Sequence, residues 1–427
     1  MNVLNSTIDA YEEEYPYLFY VFGSLTMHNS VVQGCDYPGL WIETSEGVLI
    51  EGDVIRICLV PSLYCRNSAN VVIRHYSVGE FGSHFGIWCE GSSHVVIEDC
   101  HIRWSGSGIL CQNSSHIIME ECCIYDSRRF GIFCQKSSHV IVRRCGISLN
   151  LYGVRCESST NITIVDCNIT RNSGGIGCFS SSNVAIHGCT VSSNGFGIWC
   201  EETINLTICD CTINSNHEVG IHCAYSSQVR VCDCKINNNG PVGIDLLHSV
   251  YATIVNNAFT GDGVIILGTL DDHYTTHTIE GNTVNGRPLY YVLFVANYSV
   301  PPDAGQVIIV GSKNVTVERM EILHTDVGVE IVLSSNITVR TCVIEDNDQA
   351  GIICLGSSGI TIENCSVSNN YYGIFCSMVN DTEVHWCNLC GNEVHGLYND
   401  DGPAEYIINA TYCWWGSPEG PEYKEDG

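Results

Sequence analysis

The amino-acid sequence predicts an all-β protein, a single-stranded parallel β-solenoid of about sixteen coils with 22–23 residues each. Three observations predict this fold. A glycine-containing unit recurs at a fixed step, apolar and polar residues alternate in short segments, and clusters of Ser, Asn and Gly separate those segments. One such unit is too small to bury its own apolar face, so we expect the units to stack in register.

The recurring unit is G-[IV]-x-[CL], and its glycine returns every 22 or 23 residues within two blocks. These glycines are Gly86, Gly108, Gly131, Gly153, Gly175, Gly197, Gly220 and Gly243, and then Gly328, Gly351, Gly373 and Gly396. A repeat of this length is typical of a solenoid, in which each coil contacts only its neighbours.

Between the glycines lies the pattern V-x-I-x-x-C-x-I, as in VVIEDCHI at 95–102. Its apolar residues alternate with period two rather than with the helical period of 3.6. The intervening Ser, Asn and Gly residues supply turns. The unit therefore predicts short strands that pair in parallel with the same strands of adjacent coils.

We expect one solenoid domain at 23–415, an N-terminal cap segment at 1–22 and a C-terminal tail or linker at 416–427. The repeat is interrupted once, because Met320 follows Asn282 by 38 residues and cysteines are missing between Asn257 and Met320. We expect an inserted loop at about 285–306 that projects from one coil. Long loops on a rigid scaffold often carry function.

The composition restricts the partners. The chain has 18 Lys+Arg against 47 Asp+Glu, a formal net charge of −29, which disfavours nucleic acid as a partner. No apolar run is long enough for a transmembrane segment. The first twenty residues are acidic and aromatic and do not form a signal peptide.

The repeat G-I-x-C/L…S-S-x-[NH]-[IV]-x-[IV]-x-x-C/N-x-[IV] resembles that of NosD-like and pectate-lyase-like right-handed parallel β-helix proteins. The segment from Gly281 to Val310 is similar to one found in archaeal NosD-like surface proteins, and the tail from Cys413 to Pro421 resembles their N-W-W-G…G-P ending. The resemblance implies the right-handed β-helix fold and an exported, cell-surface location. It does not imply one activity, since this fold hosts lyases, hydrolases, epimerases, adhesins and copper-maturation factors. The family places an Asn ladder at the turn where Cys stands in ten coils here.

Strand parity sorts the cysteines. In GIWC (86–89) Ile87 and Cys89 share one face, so we expect Cys89 to point inward and Trp88 outward. Two inward ladders follow, one on the G-I-x-C strand and one at the turn after the next strand. The first contains Cys65, Cys89, Cys111, Cys134, Cys156, Cys178, Cys200 and Cys223, and the second contains Cys100, Cys122, Cys145, Cys167, Cys189, Cys211 and Cys234. Later coils add Cys354 and Cys376 to the first ladder, and Cys342, Cys365 and Cys387 to the second.

Three interpretations of the ladders stay open. Buried Cys acts as a small hydrophobic residue that fills a narrow core. Alternatively, some cysteines form disulfides between coils, although in-register side chains lie further apart than the ~3.8 Å between Cβ atoms that a disulfide prefers. In the third interpretation a column of thiolates binds Cu(I).

The candidate metal site lies outside the ladders, at His187, Cys209, Asp210, Cys232 and Asp233. The two cysteines take the same outward position in successive coils, and His187 takes it one coil earlier. These residue types bind zinc or copper, and a disulfide is the alternative. The sequence establishes no cofactor, and copper, zinc and calcium are the candidates. The SSH histidines His94, His116 and His139 are interpreted as a polar turn position, with a surface metal site as the alternative.

The outward positions of the G-I-x-C strands predict a carbohydrate-binding face. Aromatic rings stack on sugar rings while carboxylates and amides bind hydroxyls. In the enzymes that this fold resembles, the substrate groove runs along the same strand. The candidate residues are Trp88, Glu90, Phe133, Trp199, Glu201 and Phe375.

The same face offers candidates for catalysis in Arg155, Glu157, Glu201, His222 and Asp245. Glu157 and Glu201 lie two coils apart, about 9.6 Å, at the edge of the range for inverting glycosidases. Asp245 with His222 and Arg155 is the alternative for a lyase. Neither set matches a catalytic motif of the family.

We therefore expect a non-catalytic extracellular protein that binds glycans or surface partners along this face, or that acts as a structural surface rod. The alternatives are a polysaccharide lyase or hydrolase that acts in a groove on the same face, and a NosD-like copper- or zinc-binding protein. The expected partner is a polysaccharide or a cell-surface glycan, with lateral or end-to-end self-association as a further expectation.

Overall fold

The structure is a computed structural model that describes residues 1–9, 17–33, 35–56, 62–78, 85–400 and 407–421. They form two compact units. Unit 1 is Met1–His217 with Ser226–Val229, and unit 2 is Glu218–Tyr225 with Arg230–Gly427. Together the units contain about 16 coils of roughly 23 residues, built almost entirely from strands that pair in parallel. The predicted all-β parallel solenoid is confirmed.

Each complete coil has three strands. The G-I-x-C segment forms the first strand, the S-x-V-x-I segment the second, and a short segment around the following Ile the third. Single residues in the left-handed region turn the chain between strands, as at Asn113 (φ 49), Glu121 (φ 54) and Asp126 (φ 60). Asn, Asp and Gly tolerate this conformation best, which is why the sequence places polar clusters there.

In unit 1 the first strands are Tyr17–Val21, Cys35–Ile42, Leu63–Arg66, Phe85–Glu90, Ser107–Gln112, Phe130–Gln135, Tyr152–Glu157, Gly174–Phe179 and Phe196–Glu201. The second strands are Asn2–Leu4, Leu25–His28, Val48–Glu51, Ala69–Arg74, Ser93–Glu98, Ser115–Glu120, Ser138–Arg143, Thr160–Val165, Ser182–His187 and Ile204–Cys209. The third strands are Thr7–Asp9, Val31–Gln33, Val54–Arg56, Ser77–Val78, His101–Arg103, Cys123–Tyr125, Gly146–Ser148, Asn168–Thr170, Thr190–Ser192 and Thr212–Asn214. The strand Ser227–Cys232 contributes residues to both units.

In unit 2 the first strands are Val219–Ala224, Val242–Leu247 and Val264–Leu267, and then Arg287–Leu293, Gln306–Val310, Val327–Val332, Ala350–Leu355, Tyr372–Ser377 and His395–Asn399. The second strands are Thr253–Val255, Thr278–Glu280, Ala296–Ser299, Lys313–Glu318, Ser335–Arg340, Ser358–Glu363, Thr382–His385 and Ile408–Thr411. The third strands are Lys235–Asn237, Ala258–Thr260, Thr283–Val284, Glu321–Leu323, Val343–Glu345 and Ser366–Ser368. A short helix spans Asp272–Thr275.

The core of each coil is a narrow column of side chains from all three strands. Ile87, Cys89, Val95 and Ile97 are fully buried, and the same positions are buried in the coils that follow. The repeated glycine is required by close stacking. A Cβ atom on Gly131 would lie 2.5 Å from Ile147 Cγ2 and 2.6 Å from the carbonyl oxygen of Gly153.

An amide ladder stands at the turn after the third strand in unit 1. The backbone N–H of Asn150 donates to Asn172 Oδ1 at 2.9 Å, and that of Asn172 donates to Asn194 Oδ1 at 2.9 Å. At the turn after the second strand, the thiols of Cys100 and Cys122 donate instead to carbonyl oxygens two residues earlier. Polar side chains thus satisfy the backbone at both turns.

The structure differs from the sequence analysis at two segments, the expected N-terminal cap and the expected inserted loop. The expected cap at 1–22 already contains coil strands, since Asn2–Leu4 pairs in parallel with Leu25–His28. Most of the expected loop at 285–306 is also strand, because Arg287–Leu293 pairs with Gln306–Val310 and Ala296–Ser299 pairs with Lys313–Glu318. This segment is a shortened coil without cysteines, so the repeat pattern did not reveal it.

Candidate functional site

An aromatic strip runs along the first strands of unit 1. Its main column is formed by the outward side chains of paired strands, which are Tyr20, Trp41, Tyr64, Trp88, Leu110, Phe133, Arg155, Gly177 and Trp199. The ring centroids of Trp41 and Tyr64 are 5.1 Å apart, and those of Tyr64 and Trp88 are 4.7 Å apart. Trp88, Phe133 and Trp199 are half-buried.

A second aromatic row flanks this column. It consists of the residues directly before the repeated glycine, Phe85, Phe130, Tyr152 and Phe196. Their rings contact the main column, with centroid distances of 5.2 Å for Phe85–Trp88, 4.6 Å for Phe130–Phe133 and 5.0 Å for Phe196–Trp199. The strip is therefore about two side chains wide. The sequence analysis missed this row, although an aromatic residue recurs directly before the repeated glycine, as in Phe85-Gly86.

Arg155 lies inside an aromatic cluster on the strip. Its guanidinium carbon is 4.3 Å from the ring centroid of Phe179, 5.2 Å from Tyr152 and 5.8 Å from Phe130. Gly177 leaves room for this arrangement, since a Cβ atom there would lie 2.7 Å from the Phe179 ring. Cation–π contact and the ion pair with Glu157 at 3.3 Å hold the arginine in place.

Polar side chains line the other edge of the strip. The Tyr64 hydroxyl donates to the Glu90 carboxylate, and Gln112 Nε2 donates to Gln135 Oε1 at 3.1 Å. Half-buried rings beside carboxylates and amides can bind a sugar through its C–H face and its hydroxyls together. The predicted residues Trp88, Glu90, Phe133, Trp199 and Glu201 all lie on this surface.

Glu157 and Glu201 do not form an isolated carboxylate pair. Phe179 stands between them in the register, paired with Glu157 on one side and Glu201 on the other. Glu157 is also engaged by Arg155. A glycosidase needs a space between its two carboxyl groups for the glycosidic bond.

His222 and Asp245 are brought together in unit 2. His222 Nδ1 lies 2.7 Å from Asp245 Oδ2, and only 11% and 17% of the two side chains are exposed. Arg155, Glu157 and Glu201 belong to unit 1, so the catalytic candidates are divided between the units.

Glu330 is a functional-site candidate that sequence reasoning missed. It takes the outward position of the strand Val327–Val332 and is fully buried. Burial, with a contribution from the charge of Asp245, raises the pKa of Glu330 to about 8. A charged residue at an outward position looks exposed in the sequence, which is why it gave no signal.

Phe375 lies in a separate aromatic cluster of unit 2. Its ring centroid is 5.6 Å from that of Tyr372 and 5.4 Å from that of Tyr398. His395 stacks on Tyr398 with a centroid distance of 5.1 Å. The predicted residue Phe375 therefore belongs to an aromatic cluster within unit 2.

The five metal candidates do not form a thiolate site in this structure. Cys209 and Cys232 are disulfide-bonded, and a disulfide sulfur is not the thiolate that zinc or copper binds. His187 Nδ1 lies 3.3 Å from Asp210 Oδ2, with both side chains more than half exposed, and Asp233 is exposed. Across the described ranges, no group of three or more His, Cys, Asp or Glu residues is arranged to hold a metal ion.

The ladder cysteines are buried thiols. Those on the first strands of unit 1, from Cys65 to Cys200, are fully buried, and those at the turn are at most 2% exposed. A hydrogen bond with the Cys89 thiol, together with burial, raises the pKa of Cys65 well above its usual value. A hydrogen bond with the Cys122 thiol, together with burial, likewise raises the pKa of Cys100. Hydrogen bonds with neighbouring ladder thiols instead lower the pKa of Cys89 and of Cys122. The complete burial of both ladders is what suits a packed core.

The three SSH histidines form a stacked column. The ring centroids of His94 and His116 are 4.9 Å apart and those of His116 and His139 are 4.8 Å apart, with interplanar angles of 4° and 0°. Asn161 Nδ2 continues the column at 3.2 Å from His139 Nε2. Parallel rings direct their nitrogen lone pairs side by side rather than toward one point, so this arrangement does not converge on a metal.

Within the described residues, no helix is long and apolar enough to cross a membrane. A family model for the right-handed β-helix region matches residues 19–154, 107–259 and 260–408. No curated protein matches the sequence.

Among solved structures, the A-module of the Azotobacter vinelandii mannuronan C-5 epimerase AlgE4 is similar with a TM-score of 0.51 and 13% identity, covering 62% of this chain and 87% of that one. The periplasmic alginate epimerase AlgG is similar at a TM-score of 0.42 and 14% identity, covering 57% of this chain and 70% of that one. Tailspike protein 2 from the Escherichia coli O157:H7 bacteriophage CAB120 is similar with a TM-score of 0.41 and 13% identity, covering 62% of this chain and 43% of that one. Of these three likenesses, the one to AlgE4 has a TM-score above 0.5, and at 13% identity it supports the fold alone. Because the family model spans most of the chain, the protein belongs to the right-handed β-helix family.

Proposed function

We propose that the protein is a non-catalytic extracellular glycan-binding protein and that the aromatic strip of unit 1 is its binding surface. One observation carries the proposal, the continuous contact of rings from Tyr20 through Trp41 and Tyr64 to Trp88, at centroid distances of 4.7–5.1 Å. Tyr20 is 39% exposed and Trp41 and Trp88 are half-buried, and a continuous apolar surface of this kind is typical of a binding site.

The charge of the strip indicates which glycan fits. The carboxylates of Glu90, Glu157 and Glu201 line it. Of its two arginines, Arg155 is already paired with Glu157, and Arg66 lies over the Trp41 ring with its guanidinium carbon 5.6 Å from the ring centroid. The chain as a whole carries a net charge of −29. A polyanionic glycan would be repelled, so the proposed ligand is a neutral polysaccharide that crosses several coils.

The test is affinity electrophoresis of the full chain in gels that contain either a neutral polysaccharide or a polyuronate. We expect retardation by the neutral polymer only, and an affinity loss of at least about tenfold when Trp88→Ala and Trp199→Ala are combined. Trp386→Ala is the matched control, since Trp386 is 55% exposed and lies in unit 2. Unchanged retardation in the double variant, or an equal loss in the control, would contradict the proposal.

A second candidate, a polysaccharide lyase or hydrolase, is favoured by the His222–Asp245 pair. The pair places an imidazole and a carboxylate, two groups that serve as general acids and bases, on the outward face of neighbouring strands. The expected readout is new reducing ends or unsaturated sugar products, lost in His222→Asn. If no product forms from any polysaccharide that the chain binds, this candidate fails while the binding proposal stands.

A further inference from the structure

Within unit 2 the stacking of first strands is interrupted at a seam. We define the seam as the strand Val264–Leu267 together with the strands Gln306–Val310 and Val327–Val332 that face it. Val264–Leu267 pairs through its backbone with Val242–Leu247. Its outward residue Ile265 packs against Val327, Ala350 and Ile353 in one buried cluster. The unpaired edge of Val264–Leu267 and its outward residue Ile265 thus lie on the outward side chains of the next stack.

Side chains take the place of backbone pairing at the seam. The Val264 N–H donates to Gln306 Oε1 at 3.0 Å, and Gln306 Nε2 donates back to the Val264 carbonyl at 2.7 Å. The Ile266 N–H donates to Glu330 Oε2 at 3.4 Å, and the Gly243 N–H donates to Asp326 Oδ2 at 2.9 Å. Thr325 Oγ1 donates to the Asp262 carbonyl at 3.3 Å. These contacts satisfy main-chain groups that a paired strand would otherwise satisfy.

Three carboxyl groups at the seam have no contact with water. Asp262, Asp326 and Glu330 are each 0% exposed. Asp326 Oδ1 and Glu330 Oε1 are buried and have no hydrogen-bond partner in the described ranges. An ionised carboxylate in such a place costs several kcal/mol, so burial favours the neutral acid.

Other titratable groups face these acids from the surrounding elements. Asp245, paired with His222, and the phenols of Tyr274 and Tyr291 face Glu330. Besides burial, the negative charge of Asp348, which His324 faces, raises the pKa of Asp262 and of Asp326. Burial raises the pKa of Asp262 to about 7, that of Glu330 to about 8 and that of Asp326 well above its usual value.

Asp262 stands at a position where the coils of unit 1 carry an amide instead of a carboxyl group. Asn239 donates both its backbone N–H and its side-chain Nδ2 to the Asp262 carboxyl, at 3.0 and 2.8 Å. In unit 1 the same contact is made between amides, as in Asn150 with Asn172. An Asn at 262 would complete the ladder equally well, so the carboxyl group adds a proton-binding site that the fold does not need.

We propose that the seam is a proton-dependent latch, which holds the strand Val264–Leu267 on the following stack while Asp262, Asp326 and Glu330 are neutral and releases it when they ionise. The closed seam binds protons that the opened, hydrated acids release, so rising pH favours opening. The stabilisation is complete below about pH 4, the ordinary carboxyl range, and is lost progressively up to about pH 8.

The experiment is hydrogen–deuterium exchange of the full chain across this pH range, with each rate corrected for the intrinsic effect of pH. We expect the protection of amides in 262–268 to fall by at least about tenfold between about pH 5 and about pH 8. Amides of Ser107–Gln112, which is paired on both sides, serve as the internal control and should keep a constant protection.

Two variants decide the origin of the effect. Glu330→Gln and Asp262→Asn retain shape and hydrogen bonding but cannot ionise, so each should flatten the pH dependence at 262–268. Constant protection in the wild-type chain would overturn the proposal, and so would an undiminished pH dependence in both variants. If one variant fails to fold, the other and the wild-type profile still decide the question.

Discussion

The outward position of the first strand has opposite environments in two regions of the molecule. In unit 1 this position holds Trp88, Phe133 and Trp199, which are half-buried and form the aromatic strip. In the later coils of unit 2 it holds Ile308, Glu330 and Ile353, which are 0%, 0% and 7% exposed. The strand Val264–Leu267 covers the second region through Ile265. The same repeat position is therefore a surface in one stack and a core in the other.

The difference lies in the side chains, because the backbone stacking is the same in both regions. A Cβ atom on Gly131 would lie 2.5 Å from Ile147 Cγ2, and one on Gly351 would lie 2.5 Å from Val367 Cγ1. Inward cysteines are equally buried at Cys134 and Cys376. The coil geometry is thus the same in both regions, and the outward side chains decide whether a region is surface or core.

The largest effect should come from a charge at the covered position. We expect Ile353→Glu to lower the free energy of unfolding of unit 2 by about 3–5 kcal/mol, because the carboxylate would be buried without a partner. Phe133→Glu in unit 1 should cost less than about 1 kcal/mol, since that position faces water. Urea denaturation measures both. Equal losses would contradict the assignment of one face as core and the other as surface.

The pH dependence of unit 2 should follow Glu330. Its pKa is raised from the usual range to about 8, so its contribution to stability is present at low pH and is lost as pH rises to about 8. We expect a decrease of about 2–4 kcal/mol between about pH 5 and about pH 8, reduced in Glu330→Gln. Thermal unfolding at several pH values measures this. A stability that rises over the same range would show that other groups dominate.

The repeated glycine should behave alike in both regions. Gly131→Ala and Gly351→Ala should each cost about 2 kcal/mol, because the added methyl group meets a backbone oxygen and a packed side chain. Gly146→Ala is the control, since no atom lies within 4 Å of its Cβ position. Chemical denaturation of the three variants measures the costs. A clear difference between Gly131 and Gly351 would mean that the two stacks do not share one coil geometry.

The smallest effect concerns the ladder thiols. Cys134→Ser and Cys376→Ser should each lower stability by about 1 kcal/mol, because a buried hydroxyl is more costly to desolvate than a thiol. Cys123→Ser should be neutral, since Cys123 is exposed. Denaturation under reducing conditions measures the difference. A neutral effect in the ladder would indicate that the column is hydrated.

The fold and the inward residues could be predicted because the repeat has a fixed period and strand parity is strict. Ile87 and Cys89 point inward for that reason alone. The seam could not be predicted, since Gln306 and Glu330 contact Val264 and Ile266 across 42 and 64 residues outside the repeat. The second row of the strip was available as the pair Phe85-Gly86 and its equivalents, but its residues fall at a corner of the coil, where alternation does not apply.

The most direct test of the account is oxidative footprinting of the tryptophans with and without a neutral polysaccharide that the chain binds. We expect bound polymer to protect Trp88 and Trp199 of the strip while Trp386 and Trp414, which are 55% and 48% exposed in unit 2, keep their oxidation rates. Protection confined to Trp386 and Trp414, with Trp88 and Trp199 unchanged, would contradict the assignment of the aromatic strip as the glycan-binding surface.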